Sequence, residues 1–228
     1  LHGVTKDIAD LHAYLLSDHG GAWEDCEIGW HAAPRLAELR ADLALAKTTC
    51  DYIFVAFSGH GAHDHQGSFV VLNDEEAIYV SELAQLGQKA RRIVVLSDAC
   101  RENVAVPVAS PPKIASGDVA GIPDPAYRRS CRSGYDNAIN NAAQGAVVMY
   151  SCSTGQTSGD SVQGGVFTQA LLRSASQWAQ AESDDHRVRM ALYVRGAFGR
   201  VELPPQRRAR PGVQTPRLST ANPPKFPF

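Results

Sequence analysis

Two short runs limit what this chain can fold into. Tyr52-Ile-Phe-Val-Ala-Phe57 and Ile93-Val-Val-Leu96 are unbroken, apolar and rich in β-branched residues. A strand with one wet face alternates apolar and polar residues, whereas an unbroken run belongs in the middle of a parallel sheet with helices over both faces. The surrounding residues supply those helices. Ile8, Leu11, Leu15 and Leu16 form a stripe within 2–17 that stops at Gly20-Gly21, and Leu36, Leu39, Leu43 and Ala46 form a second. The pattern predicts further helices over 81–90 with Ser81 as N-cap, over 137–144, over 166–180 with Phe167, Ala170, Leu171 and Trp178 on one face, and over 185–198. Ala146 to Ser151 reads as a third buried strand, and Cys26 to Trp30 and Phe69 to Leu72 as shorter ones. Strands alternating with helices in this way imply an α/β domain whose reactive groups gather at the carboxyl ends of the strands.

Composition narrows the class. With 228 residues, 44% of them hydrophobic, the chain can bury a large core as one soluble globular domain without staples. Lys+Arg 22 against Asp+Glu 24 gives a net charge of -2, which points away from nucleic acid, and no apolar run is long enough for a membrane helix. Cys26, Cys50, Cys100, Cys131 and Cys152 form an odd set without a CxxC pair, which suits reduced thiols and a cytoplasmic location. No signal-peptide pattern follows Leu1. From Arg101 to Ser133 the chain turns to Pro, Ser, Gly and Arg and reads as one long mobile loop. The proline-rich, basic stretch 204–228 is expected to wrap the surface in extended form.

The two apolar runs lead into Ser58-Gly59-His60-Gly61 and Ser97-Asp98-Ala99-Cys100, so a parallel sheet would set His60 and Cys100 side by side. An ordinary cysteine, with a pKa of about 8.5, is only a few per cent thiolate at neutral pH; a neighbouring imidazole raises that fraction and can protonate a departing amine. The glycines flanking His60 let a substrate backbone approach, and the Gly61 N–H is placed to donate to a developing oxyanion. A lone strand-end cysteine is more often structural than reactive, but its pairing with this histidine reverses the odds.

Phe57-Ser-Gly-His-Gly61 followed by Ser97-Asp-Ala-Cys100 resembles the caspase and metacaspase cysteine peptidases. Leu1-His-Gly-Val-Thr-Lys-Asp7 is similar to the family's Leu-Arg-Gly-Cys-x-Asn-Asp stretch. Tyr150-Ser-Cys-Ser-Thr-Gly-Gln-Thr-Ser-Gly-Asp160 resembles the loop after its fifth strand, Gly165-Val-Phe-Thr-Gln-Ala-Leu171 the helix that follows, and Gln214-Thr-Pro216 a closing motif of bacterial members. The resemblance implies a three-layer α-β-α sandwich with a mainly parallel sheet. It implies a single domain divided into a large portion (1–100), a linker (101–133), a small portion (134–203) and the tail (204–228). Family domains begin with a central strand before the Leu-x-Gly stretch. Nothing precedes Leu1 here, so that strand is expected to be missing or to belong to a part of the protein outside this sequence. By the same resemblance Cys100 is the nucleophile, His60 the general acid/base, and the N–H groups of Gly61 and Cys100 the oxyanion donors.

Specificity follows from charge. Caspases hold an aspartate at P1, the residue before the cut bond, with arginines and a glutamine; metacaspases hold arginine or lysine with acidic residues. At the matching positions this chain has Asp98, Asp7 and Asp160, with Ser58 adding a hydroxyl and Leu1 where caspases carry an arginine. Such a site suits a guanidinium or ammonium and repels aspartate. The expected substrate is therefore a protein with a basic P1 residue, and the expected partners are an activating protein or an upstream protease, not nucleic acid or membrane. Taken singly, Asp7 could be a first-turn helix residue and Asp160 a solvated loop residue. Arg128, Arg129 and Arg132 fall inside the linker and are candidates for self-cleavage. No cofactor is needed, and Asp74, Glu75 and Glu76 do not line up with the acidic calcium cluster of many metacaspases.

Three other readings compete. His60, His63 and His65 could be zinc ligands of a hydrolase, although the spacing matches no metallohydrolase pattern. Gly159-Asp160-Ser161 could suggest a serine nucleophile, although it lacks the following glycines and would require another fold. A scaffold that kept the fold and lost the chemistry would not be expected to retain both His60 and Cys100. An alkylating reagent should abolish a thiol peptidase and a chelator a zinc enzyme, whereas a scaffold would show no activity to lose.

Overall fold

The two apolar runs form adjacent strands in parallel register, β1 (Tyr52–Ser58) and β5 (Arg92–Asp98), paired from Tyr52 with Arg92 to Ser58 with Asp98. The computed structural model describes residues 3–103, 124–183, 192–204, 214–220 and 223–228. On the far side of β5 lies β6 (Gly145–Tyr150), also parallel, and beyond it the short β9 (Arg217–Leu218) runs antiparallel. Along β5, Val94 and Leu96 enter one core while Ile93 and Val95 enter the other, and all four are fully buried. Burying such a side chain contributes about 1.5–3 kcal/mol. This two-sided burial is why the run shows no alternation.

Each face of the sheet has its own helical layer. On the first face pack Leu11 of α1 (Val4–Leu16), Tyr135 and Ile139 of α4 (Pro125–Asn141), Phe167 and Leu171 of α5 (Val166–Ala181) and Val194 of α6 (Val194–Gly199). On the second lie Leu43 of α2 (Leu36–Thr49) and Leu83 of the single-turn α3 (Val80–Leu83). They are joined there by a small antiparallel sheet of β2 (Gly61–Asp64), β3 (Gly67–Val71) and β4 (Ala77–Tyr79). The architecture is the expected α-β-α sandwich. Among the described residues, nothing pairs with the outer edge of β1. A groove of about 580 Å³ runs there between α1 and α2, lined by Leu11, Leu15, Leu39, Leu43, Ile53 and Val55 among others, and Ile28 to Pro34 forms its rim. The leading strand was expected to be central, whereas among the described residues β1 is an edge of the sheet.

Several local expectations need correction. Helix α4 begins at Pro125, so 124–133 is not loop. Asp124 caps it by accepting the Ala126 N–H at 2.9 Å, and proline at the first helical position needs no hydrogen bond of its own. Arg128, Arg129 and Arg132 therefore sit on helical backbone. Arg128 donates to the Trp23 carbonyl at 2.8 Å, and Arg132 forks onto Glu27 and Asp136. Residues 104–123 of the expected linker lie outside the described residues. Cys26 to Trp30 is not a strand; Asp25–Glu27 is a 3₁₀ turn closed by Glu27 accepting the Glu24 N–H at 2.8 Å. The helix expected over 81–90 lasts one turn and its N-cap is Tyr79, not Ser81. The tail does not only wrap the surface: Phe226 and Phe228 are fully buried in the first core, and the Tyr14 and Tyr52 hydroxyls donate to the carbonyls of Phe228 and Pro227. The helix expected over 185–198 is described only as α6, because 184–191 lies outside the described residues.

Candidate active site

The parallel pairing of β1 with β5 brings the ends of both strands to one place. Past the last register pair, Ser58 with Asp98, the Gly59 N–H donates to the Asp98 carbonyl at 3.1 Å, and the chains leave side by side through His60 and Cys100. Gly61 packs onto the Cys100 segment so closely that a Cβ there would lie 2.8 Å from the Ala99 Cβ and 3.0 Å from the Cys100 carbonyl. Any side chain at that position would push the two strand ends apart. His60 and Cys100 are both half-buried, and burial lowers the imidazole pKa below the usual histidine value.

A third segment wraps the nucleophile candidate. After β6, residues 151–159 fold over 99–101: the Ser151 hydroxyl donates to the Ala99 carbonyl and accepts the Ala99 N–H, and the Arg101 N–H donates to the Gln156 carbonyl at 2.9 Å. The Ser158 N–H then donates to Cys100 Sγ at 3.4 Å, and the Ser158 carbonyl lies 3.9 Å from the same sulfur. Cys152, the thiol alongside, differs: it is fully buried, pushed up to about 11 by burial, and stays protonated at neutral pH. The Arg101 guanidinium lies over the Tyr150 ring at 4.0 Å and donates to the Cys152 carbonyl and the Ser68 hydroxyl.

Next to the strand ends is a pair of buried carboxylates. Asp7, on the first turn of α1, accepts the Ser58 hydroxyl at 2.6 Å, the Gly165 N–H at 2.9 Å and the Gln169 amide at 3.1 Å. Asp98, at the end of β5, accepts the Ser158 hydroxyl at 2.5 Å and both the N–H and hydroxyl of Thr168, at 2.9 and 2.7 Å. Burial, partly offset by these bonds, pushes Asp7 up to about 6 and also raises Asp98. The strand pair β7 (Asp160–Ser161) and β8 (Gly164–Gly165) closes over them. A Cβ on Gly165 would collide with Asp98 and lie 2.8 Å from Asp7 Oδ2, so only glycine fits between the two carboxylates.

Of the residues expected at the site, Asp7, Ser58 and Asp98 are thus brought together beside His60 and Cys100. Asp160 sits one layer away, where its carboxylate accepts the Gly3 N–H at the start of α1 at 3.1 Å and its charge reaches His60. Ser158, Thr168 and Gln169, which hold the carboxylates, had no assigned role in the sequence, because nothing in local spacing connects them to Asp7 or Asp98. The three histidines do not converge: His63 Nδ1 is 3.0 Å from the Ser68 hydroxyl, and His65 is exposed at the turn between β2 and β3. Among the described residues no group of three or more His, Cys, Asp or Glu side chains could hold a metal ion. Glu76 instead accepts the Leu36 N–H at 2.9 Å and caps α2. No described helix is long and apolar enough to cross a membrane.

The whole chain is similar to proteins of known structure. Caspase-1 from Spodoptera frugiperda shares the fold, with a TM-score of 0.53 and 12% identity over 96% of this chain and 79% of that one. A protein from Geobacter sulfurreducens solved by structural genomics aligns with a TM-score of 0.46 and 18% identity over 82% of this chain and 75% of that one. No curated protein matches the chain. The family model for the caspase domain matches residues 1–225, and the chain belongs to this caspase-like cysteine peptidase family.

Proposed function

We propose that the protein is a cysteine endopeptidase that cleaves its protein substrates after arginine or lysine. Cys100 Sγ attacks the scissile carbonyl, and the N–H groups of Gly61 and Cys100 stabilise the oxyanion. His60 takes the thiol proton and returns it to the departing amine, leaving a thioester that water hydrolyses. Asp7 and Asp98, with Ser58, receive the basic side chain, and Asp160 adds negative charge at the rim.

One observation carries the specificity: the hydrogen-bond partners of Asp7 and Asp98 given above are all hydroxyls, amides and backbone N–H groups, with no cation among them. Two buried carboxylates without a counter-ion repel each other, which a cation bound beside them would relieve. Binding of that cation would also favour ionisation of Asp7, so affinity for basic P1 residues should rise with pH through about 6. A matched set of fluorogenic peptides tests this. Cleavage after Arg and Lys but not Asp, abolished by Cys100→Ala, is expected; preferential cleavage after Asp would remove the pocket assignment.

Self-processing between 101 and 133 belongs to the same proposal, but a cut after Arg128, Arg129 or Arg132 requires α4 to unwind first, because a peptidase cleft takes extended backbone. Mass spectrometry of the active protein beside Cys100→Ala locates any cut.

A further inference from the structure

We infer that Gln214 is a positioning residue that sets the nucleophile and the P1 carboxylate through one shared neighbour, Ser158; this rests on the peptidase reading above. Gln214 lies far along the chain from either group, yet its side chain is buried beneath the loop that wraps Cys100. Three bonds of its amide go to that loop. Oε1 accepts the Gly159 N–H at 3.1 Å, while Nε2 donates to the Ser151 carbonyl at 3.2 Å and to the Ser158 hydroxyl at 3.3 Å.

The direction of these bonds is forced. Nε2 of Gln214 can only donate, so the Ser158 hydroxyl accepts from it and turns its own proton onto Asp98 Oδ1. The result is a one-way chain from Gln214 through Ser158 to Asp98, in which each bond polarises the next. The same residue, Ser158, turns its N–H onto Cys100 Sγ. Two functions thus hang on the placement of one residue, which Gln214 clamps against the end of β6.

The clamp is fastened from both sides. Gln156 Oε1 accepts the N–H groups of Thr215 and Ser153 at 2.8 and 3.1 Å, and Arg217 donates to the Ser153 hydroxyl at 2.8 Å. A buried amide could serve stability alone, but stability does not require its bonds to end on the two groups that bind and attack the substrate. Without Gln214 the Gly159 N–H and the Ser151 carbonyl are left buried and unpaired, and the loop must shift to satisfy them.

The test compares wild type with Gln214→Leu and the isosteric Gln214→Glu, each checked for native near-UV circular dichroism. The readouts are kcat and KM for an arginine peptide and the rate at which iodoacetamide alkylates Cys100 across pH. Gln214→Leu should lower kcat/KM about 100-fold, in both KM and kcat, and slow alkylation at neutral pH several-fold by moving its midpoint upward. Should that variant not fold, Gln214→Glu keeps the acceptor for Gly159 but loses both donors when ionised, and should show the same signs with a deficit that grows with pH. A folded variant with kinetics and alkylation within about twofold of wild type, or one that loses only thermal stability, would overturn the positioning role. If wild type itself cleaves no arginine peptide, the peptidase proposal fails instead, so the two failures are distinct.

Discussion

His60 and Cys100 are half-exposed, whereas the neighbouring Asp7 and Asp98 are 0% and 4% exposed and take bonds from six donor groups. The contrast follows from what each pair would have to do. A thiol and an imidazole that exchange a proton with substrate must be reachable and free to reorient. Carboxylates that discriminate by charge must be fixed and kept from water, because a hydrated carboxylate attracts a cation only weakly. On the proposed reading, the more fully held pair is the one that recognises the substrate.

Removing the reactive pair should have the largest effect. Cys100→Ala and His60→Ala are each expected to lower turnover by at least about three orders of magnitude while leaving the melting temperature nearly unchanged, since neither holds the fold. Near-normal turnover by either variant would remove it from the dyad.

The carboxylates should behave in the opposite way under substitution. Asp7→Asn can keep its contacts, with oxygen toward Gly165 and Gln169 and amide toward Ser58. It loses one charge, which should cost about 2–5 kcal/mol of binding to a basic P1 residue, or some 30-fold to several thousand-fold in kcat/KM. Stability should change in the other direction. The folded pKa of Asp7 is about 6, above the ordinary 3.8, so its proton stabilises the fold at low pH and that contribution is lost as pH rises through 6. Above pH 6 the asparagine variant should therefore be the more stable by roughly 1–3 kcal/mol, measured by denaturant titration. An unstable variant would mean that the carboxylate serves the fold.

Gly165→Ala sharpens the comparison without altering a charge. Its methyl group has no room between Asp98 and Asp7, and should cost about 1–3 kcal/mol of stability and raise KM for arginine peptides more than it lowers kcat. The smallest expected effect is that of pH on wild type. For arginine peptides, kcat/KM should climb through about pH 6 as Asp7 ionises, a step absent in Asp7→Asn. The same step persisting in that variant would assign it to His60.

Parts of this were legible in the chain itself. β1, β5 and β6 show because burial on two faces leaves unbroken apolar runs, and the strand-end rule then delivers His60, Cys100 and Asp98 without further information. The first part of helix α4, before the helix expected over 137–144, was hidden by its composition: its buried Cys131 and Tyr135 are separated by Arg, Ser and Gly, so it resembles loop, and the signal that would have found it is Asp124 before Pro125. Of the small sheet, β3 overlaps the strand read over Phe69 to Leu72, whereas β2 was masked by His63 and Asp64. Ser158, Thr168 and Gln169 were invisible for a different reason: they act across about 60 to 160 residues of sequence, where spacing carries no information.

Among the described residues the outer edge of β1 is unpaired, which has a consequence for how the molecule behaves among its own copies. Elsewhere the sheet ends quietly, since β9 is two residues long and offers little for another strand to grip. At β1 the polypeptide presents seven residues of ladder beside an apolar groove. An edge of that kind is adhesive: it satisfies its amides and carbonyls with whatever extended chain arrives. In the form described here, the protein should become more associated as its concentration rises. An extended apolar peptide that occupies the groove should disperse it, and a lysine at the exposed Ala56 should do so at less cost to the core.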